Sequence, residues 1–132
     1  MRKPPTERQL AIARRRLEGH SPSKIATEFA ASIDTVREAV RRVQDYERGR
    51  AILREDPASI EAFHLIGWLP LRARSTLVNM GISRVTDLAG VSMMEMLTWP
   101  YIGHRSATLL LQLRDEYPEA SAKLIRQASG TD

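Results

Sequence analysis

The sequence contains no cysteine among its 132 residues. Disulfide bonds, thiolate catalysis and cysteine-ligated zinc are therefore excluded for this chain. Histidine occurs only at His20, His64 and His104, without the close spacing that ligands on one helix require. No nucleophile, general base and orienting residue come together in the sequence, so we expect a non-enzymatic protein that needs neither a metal nor another cofactor.

Long apolar runs are also missing. No stretch approaches the roughly 20 consecutive apolar residues that a membrane-spanning helix needs. The N-terminal segment MRKPPTER is not followed by the apolar core of a signal peptide. We therefore expect a cytoplasmic protein with no membrane partner.

Positive charge is concentrated at the beginning of the chain. Residues 1–50 hold 12 Lys and Arg against 7 Asp and Glu, whereas residues 51–132 hold 8 against 9. Of the 20 cationic residues, 17 are arginine, whose planar fork suits phosphates and guanine edges. This balance favours a nucleic-acid partner, although an arginine-rich solvated surface explains it equally well.

Apolar residues recur at helical spacing along the whole chain, and glycine and proline fall between the periodic stretches. We predict an all-α fold with a trihelical domain over 1–50, a linker over 51–58, a second helical domain over 59–118 and a polar tail over 119–132. Gly49 is expected to loosen the third helix, which ends at Asp56 before Pro57. The predicted helices cover about 6–18, 21–29, 32–56, 59–66, 71–80, 92–98 and 104–117, with a turn at 85–89.

The stretch EGHSPSKIATEFAASIDTVREAVRRV carries the first motif. Its small and apolar residues resemble the helix-turn-helix of sigma-factor promoter-reading domains and of response regulators. The resemblance implies that the helix from Ser32 to about Tyr46 enters the DNA major groove. Thr35, Arg37 and Glu38 would read base edges, while two later arginines would hold phosphates. The candidate contacts are Ser32, Asp34, Thr35, Arg37, Glu38, Arg41 and Arg42. A trihelical protein-interaction module is the alternative.

The segment from Leu69 to about Leu113 carries the second motif. Its elements are Leu69-x-x-Arg72 with Leu77, then Gly81-Ile82 and Asp87-Leu88, then Glu95-x-Leu97 before Pro100, and finally Ile102-Gly103-His104-Arg105-Ser106. It resembles the C-terminal domain of the bacterial RNA polymerase alpha subunit, a helix-hairpin-helix-like fold that contacts the minor groove of A/T-rich DNA. The resemblance implies that Arg72 enters the minor groove, and that the start of the last helix binds phosphate. The candidate contacts are Arg72, Ser75, Gly103, His104, Arg105 and Ser106.

This chain departs from the family at several positions. Ser75 and Tyr101 stand where the family has asparagine, so the contact with DNA is expected to differ in strength or selectivity. Met93 and Met94 occupy the family's activator-facing surface, where adaptable methionine side chains could dock a partner. Packing in the core or at its rim is the more common role for such residues.

Together these features predict a DNA-binding transcription regulator of bacterial or phage origin, cytoplasmic and nucleoid-associated, with double-stranded DNA as partner. One alternative is an interaction protein that docks on RNA polymerase or a transcription activator. Another is an architectural protein with little sequence preference, which predicts a steep salt dependence and a small specificity ratio. A homodimer through 44–53 is compatible with the sequence but not required by it.

Overall fold

The structure is a computed structural model that describes residues 4–117 and residue 119. This part of the chain forms seven α-helices and one 3₁₀ helix and contains no strand, so the predicted all-α class is confirmed. None of its helices is long and apolar enough to cross a membrane. The predicted tail, apart from residue 119, lies outside the described residues. The elements are α1 (Glu7–Leu17), α2 (Pro22–Glu28), α3 (Ile33–Glu55), α4 (Ile60–Leu65), α5 (Leu71–Asn79), the 3₁₀ helix (Val85–Leu88), α6 (Met93–Met96) and α7 (His104–Asp115).

Hydroxyl side chains cap the first three helices, those of Thr6, Ser21 and Ser32. The Thr6 hydroxyl accepts from the Gln9 N–H at 3.1 Å, and the Gln9 side chain accepts from the Thr6 N–H at 3.0 Å. Ser21 caps α2 by accepting from the Lys24 N–H at 3.2 Å, with Pro22 in the first turn. Because the first N–H groups of a helix have no partner inside it, each cap contributes about 1 kcal/mol to its helix.

The chain divides into two compact units between Glu47 and Arg48, inside α3. In the N-terminal unit, α1, α2 and the first half of α3 bury one small apolar core. Phe29 and Val40 pack against its edge. The core residues are Ile12, Ile25, Ala26, Val36 and Ala39.

The C-terminal unit has a larger core. Phe63 in α4 is fully buried, and its ring stacks on Trp68 with the ring centroids 5.9 Å apart. An isolated bridge between Ser59 and Arg84 ties the start of α4 to the segment before the 3₁₀ helix. Fully buried side chains from the other elements complete the core of this unit, among them Leu53, Leu77, Leu88, Met96, Leu110 and Leu113.

An ion pair joins the residue that follows α3 to the segment before the 3₁₀ helix. The Arg84 Nη2 donates to Asp56 Oδ1 at 2.8 Å, and its Nε donates to the same oxygen at 3.1 Å. This hydrogen bond, followed by the carboxylate charge, raises the pKa of the Arg84 guanidinium above its usual value. Arg84 therefore stays cationic at every accessible pH, and the Asp56 side chain fixes the segment that follows α3.

The linker predicted over 51–58 differs from what the structure contains. Residues 51–55 are the last turn of α3, and Leu53 within them is fully buried. Gly49 does not loosen the helix, because α3 continues through it and α4 packs against it. A Cβ atom at this position would lie 2.7 Å from Ile66 Cγ2, 3.0 Å from Leu65 Cβ and 3.1 Å from the Ala62 carbonyl oxygen. Glycine is required here because two segments of backbone approach closely.

Substitution Gly49→Ala tests this packing. Helix propensity alone predicts that alanine stabilises the helix by about 1 kcal/mol. We expect the opposite sign, a loss of about 1–2 kcal/mol in the free energy of unfolding, because the added methyl overpacks a buried contact. Chemical denaturation followed by circular dichroism measures the difference.

A second variant provides the control for the Gly49→Ala measurement. In an Ile66→Ala background the nearest atom, Ile66 Cγ2, is gone, so the same Gly49→Ala change should be less harmful. If Gly49→Ala stabilises the otherwise unchanged chain, the close approach of α3 and α4 at this residue is contradicted.

Candidate nucleic-acid interface

Two grooves border the exposed side of α3 in the N-terminal unit. Arg37 and Arg41 line one of them, of about 140 Å³, together with Arg16 from α1. Asp34 and Glu38 line the other together with Arg8 from α1. The first groove, with positive charges only, forms a cationic flank suited to an anionic partner, whereas the second groove carries charges of both signs.

Arg16 is the residue that sequence reasoning missed in this unit. It lies in the last turn of α1, and its Nη1 donates to the His20 carbonyl oxygen at 3.3 Å. The run Arg14–Arg16 is visible in the sequence. Which of its members faces α3 depends on how the two helices cross, so only the structure adds Arg16 to Arg37 and Arg41.

Several of the predicted α3 residues make local contacts at the surface. The Ser32 hydroxyl accepts from the Thr35 N–H at 3.0 Å, and the two hydroxyls lie 2.8 Å apart. Arg41 forms an ion pair with Glu38 at 2.7 Å, with side chains 69% and 48% exposed. Exposed ion pairs contribute about 1 kcal/mol at most, so a phosphate can replace the Glu38 carboxylate at little cost.

Arg42 is placed differently from the prediction. Its side chain is only 6% exposed, and its guanidinium lies 5.8 Å from the centroid of the Tyr46 ring. The reason is helical spacing: Ala39, Arg42, Val43 and Tyr46 share one buried face of α3. A guanidinium held there is not available to a surface phosphate, so Arg42 is not part of the candidate interface.

In the C-terminal unit the N-terminal ends of α5 and α7 are held near each other. Arg72, in the first turn of α5, is exposed, and its guanidinium lies 5.1 Å from the centroid of the Tyr101 ring. The Thr76 hydroxyl of the same helix donates to the Pro100 carbonyl oxygen at 2.8 Å. Both contacts attach α5 to the segment that leads directly into Gly103, the N-cap residue of α7.

The beginning of α7 presents most of its predicted residues to solvent. Gly103, His104 and Arg105 are exposed, and Ser75 on α5 is partly exposed. Ser106 departs from the prediction, because it is only 8% exposed and lies on the inner face of α7 beside the fully buried Ala107. Its hydroxyl is therefore not offered to a phosphate at the surface.

Tyr101 is the residue that sequence reasoning undervalued in this unit. It is 65% exposed and has a φ of +60°, a left-handed conformation that non-glycine residues seldom adopt. The sequence identified it only as a departure from the family. A strained, exposed aromatic residue beneath an arginine marks a surface whose geometry is held by its surroundings.

The two methionines of α6 differ in exposure. Met94 is 78% exposed, and Leu97, which follows α6, is 37% exposed. Met93 is half-buried. The structure thus leaves Met94 available to a partner and places Met93 partly inside the unit.

Comparison of the chain with protein-family models, with curated proteins and with solved structures finds no match. The two family resemblances therefore stay predictions that rest on the residues quoted for them.

The turn between α2 and α3 gives a test of the N-terminal site's geometry. Ala30 has a φ of +51°, and the Arg8 Nη2 donates to the neighbouring Phe29 carbonyl oxygen at 2.6 Å. Ala30→Gly should stabilise the protein by about 0.5–1 kcal/mol, because glycine removes the strain of a left-handed residue. Chemical denaturation of the full chain measures the change.

Ala31→Gly is the matched control for Ala30→Gly, because Ala31 is not among the positive-φ positions of the described chain. Here glycine only adds conformational entropy to the unfolded state, so we expect a loss of about 0.5–1 kcal/mol. Equal effects at the two positions would argue against the strained turn.

Proposed function

We propose that the chain is a DNA-binding transcription regulator of bacterial or phage origin, with α3 in the major groove and the α5–α7 surface at the minor groove. One observation carries the proposal. The Arg72–Tyr101 and Thr76–Pro100 contacts join the exposed start of α5 to the segment that leads into the exposed start of α7. Arg72 and the first turn of α7 thereby form one surface that can hold a DNA backbone and reach between its strands.

The major-groove part of the proposal rests on the cationic flank of α3. The groove of B-DNA is about 12 Å wide and admits one helix. Arg37, Arg41 and Arg16 line one groove. In this proposal Arg37, closer to the N-terminus of α3, reads a base edge, whereas Arg41 and Arg16 hold phosphates. The second groove holds Asp34 and Glu38 beside Arg8, so it attracts phosphate less strongly than the cationic flank does.

The minor-groove part rests on Arg72 and Arg105. A narrow A/T-rich minor groove has an enhanced negative potential that attracts an inserted arginine. Because Arg72 already lies against the Tyr101 ring, less side-chain freedom is lost when it binds. The exposed N–H groups at the start of α7, with Arg105 beside them, suit a phosphate of the same groove.

Both units belong to one chain, so binding by one raises the effective concentration of the other. Two modest contacts joined in this way can exceed either alone by about 100-fold or more. Two contacts on one duplex thus explain how units that each contribute two or three arginine contacts could bind a specific site.

Paired arginine variants test the proposal. A random duplex pool is bound by the wild type, by Arg72→Ala/Arg105→Ala and by Arg37→Ala/Arg41→Ala at two salt concentrations. We expect an enriched sequence, a loss of about tenfold or more in affinity for each pair, and a decrease of about 1 in the salt-dependence slope, since one arginine of each pair is assigned to a phosphate. The losses follow because each arginine contacts a phosphate or a base edge.

The control for these variants is Arg48→Ala/Arg54→Ala, which removes the same charge from exposed positions outside both surfaces. It should leave affinity within about threefold of the wild type, since only long-range attraction is lost. A control that binds as poorly as the test variants contradicts specific contacts and favours the architectural alternative. Failure of every duplex to bind at physiological salt rejects the regulator.

The exposure of Met94 favours a second candidate function, docking on RNA polymerase or a transcription activator. In that case Met94→Ala should weaken capture of the purified partner by about tenfold, while Arg72→Ala/Arg105→Ala should leave it unchanged. Biolayer interferometry with immobilised polymerase measures both. Equal loss in the two variants would contradict a contact confined to the methionine surface.

A further inference from the structure

The N-terminal unit carries an apolar groove between α1 and α3, and of the arginines in the proposed DNA contacts only Arg16 lines it. Its cavity volume is about 230 Å³, and Val40 and Val43 of α3 line it together with Leu10 and Leu17 of α1. Leu17 is 86% exposed and Leu10 is 42% exposed. Single exposed leucines are ordinary, but these two border a concave apolar surface.

The groove is large enough for a partner's side chain. An apolar cavity of about 150 Å³ holds a benzene molecule, which is larger than the side chain of leucine. Leu17 does not fill its own groove, since most of its surface faces solvent. The same surface therefore presents a projecting apolar side chain and a cavity that such a side chain fits.

Charges of opposite sign lie on the two walls of the groove. Arg14 and Arg16 lie on the α1 wall, and Glu47 lies on the α3 wall. A two-fold axis along the groove would place α1 of each copy against α3 of the other. Arg14 of one copy would then face Glu47 of the second, and the pair would occur twice.

We propose that this groove is the interface between two copies of the chain. Each Leu17 fills the groove of the other copy, and the two Arg14–Glu47 pairs flank it. The surface is small compared with the roughly 800 Å² per partner of a standard interface, so the dimer forms at high protein concentration. The proposal does not rest on the proposed function, because its test contains no DNA.

The first test is sedimentation equilibrium of the full chain, without DNA, from micromolar to near-millimolar concentration. The wild type should show a reversible monomer–dimer equilibrium. Leu17→Lys should raise the dissociation constant by about 100-fold or more, because the loss of burial occurs twice in a two-fold dimer. A lysine at the end of α1 is compatible with the helix, since cations stabilise its C-terminus.

The matched control is Val78→Lys, which puts the same charge at an exposed apolar residue of the other unit. It should leave the dissociation constant unchanged, and circular dichroism should show equal helix content in both variants. A chain that is monomeric at every concentration, or a dimer that Leu17→Lys does not weaken, overturns the proposal.

Charge reversal provides an independent second test. Arg14→Glu and Glu47→Arg should each weaken the dimer by about 3- to 10-fold, because like charges then face each other across the interface. The double variant should return to near wild-type affinity, since the pairs re-form with their signs exchanged. Additive losses in the double variant would overturn the proposed arrangement.

Discussion

The contact of α3 with α4 at Gly49 is the constraint on which the C-terminal unit depends. Because no side chain intervenes, the second half of α3 packs directly on α4 and carries Leu53 into the core. The Asp56–Arg84 ion pair then fixes the chain where it leaves α3. Since the first half of α3 also supplies Val36 and Ala39 to the N-terminal core, this one helix contributes to both units.

Burial within each unit and the position of the helix ends determine which cationic side chains are exposed to a partner. In the N-terminal unit the buried face of α3 removes Arg42 and leaves Arg37 and Arg41 beside Arg16. In the C-terminal unit the contact of Arg72 with Tyr101 brings the start of α5 to the start of α7. Each surface is modest by itself, so the proposed specificity comes from their combination on one duplex.

Local signals were sufficient to predict the helices, because capping hydroxyls such as Thr6 and Ser21 act within one turn. Local signals did not predict the environment of residues whose position depends on packing between helices. The burial of Arg42 and Ser106 and the role of Gly49 arise from contacts between helices, which periodicity alone does not locate. The positive φ of Tyr101 could not be predicted from the sequence, because tyrosine ordinarily avoids that conformation.

The central claim, that α3 and Arg72 bind different grooves, is tested by affinity for an enriched duplex whose A·T pairs are replaced by inosine–cytosine pairs. Such pairs keep the acceptor-only minor groove of A·T but change the pattern in the major groove. We expect little change in affinity when the pairs are replaced in the segment that the α5–α7 surface binds. We expect a loss of about tenfold or more in affinity when they are replaced in the segment that α3 binds. Equal tolerance, or equal loss, in both segments would contradict it.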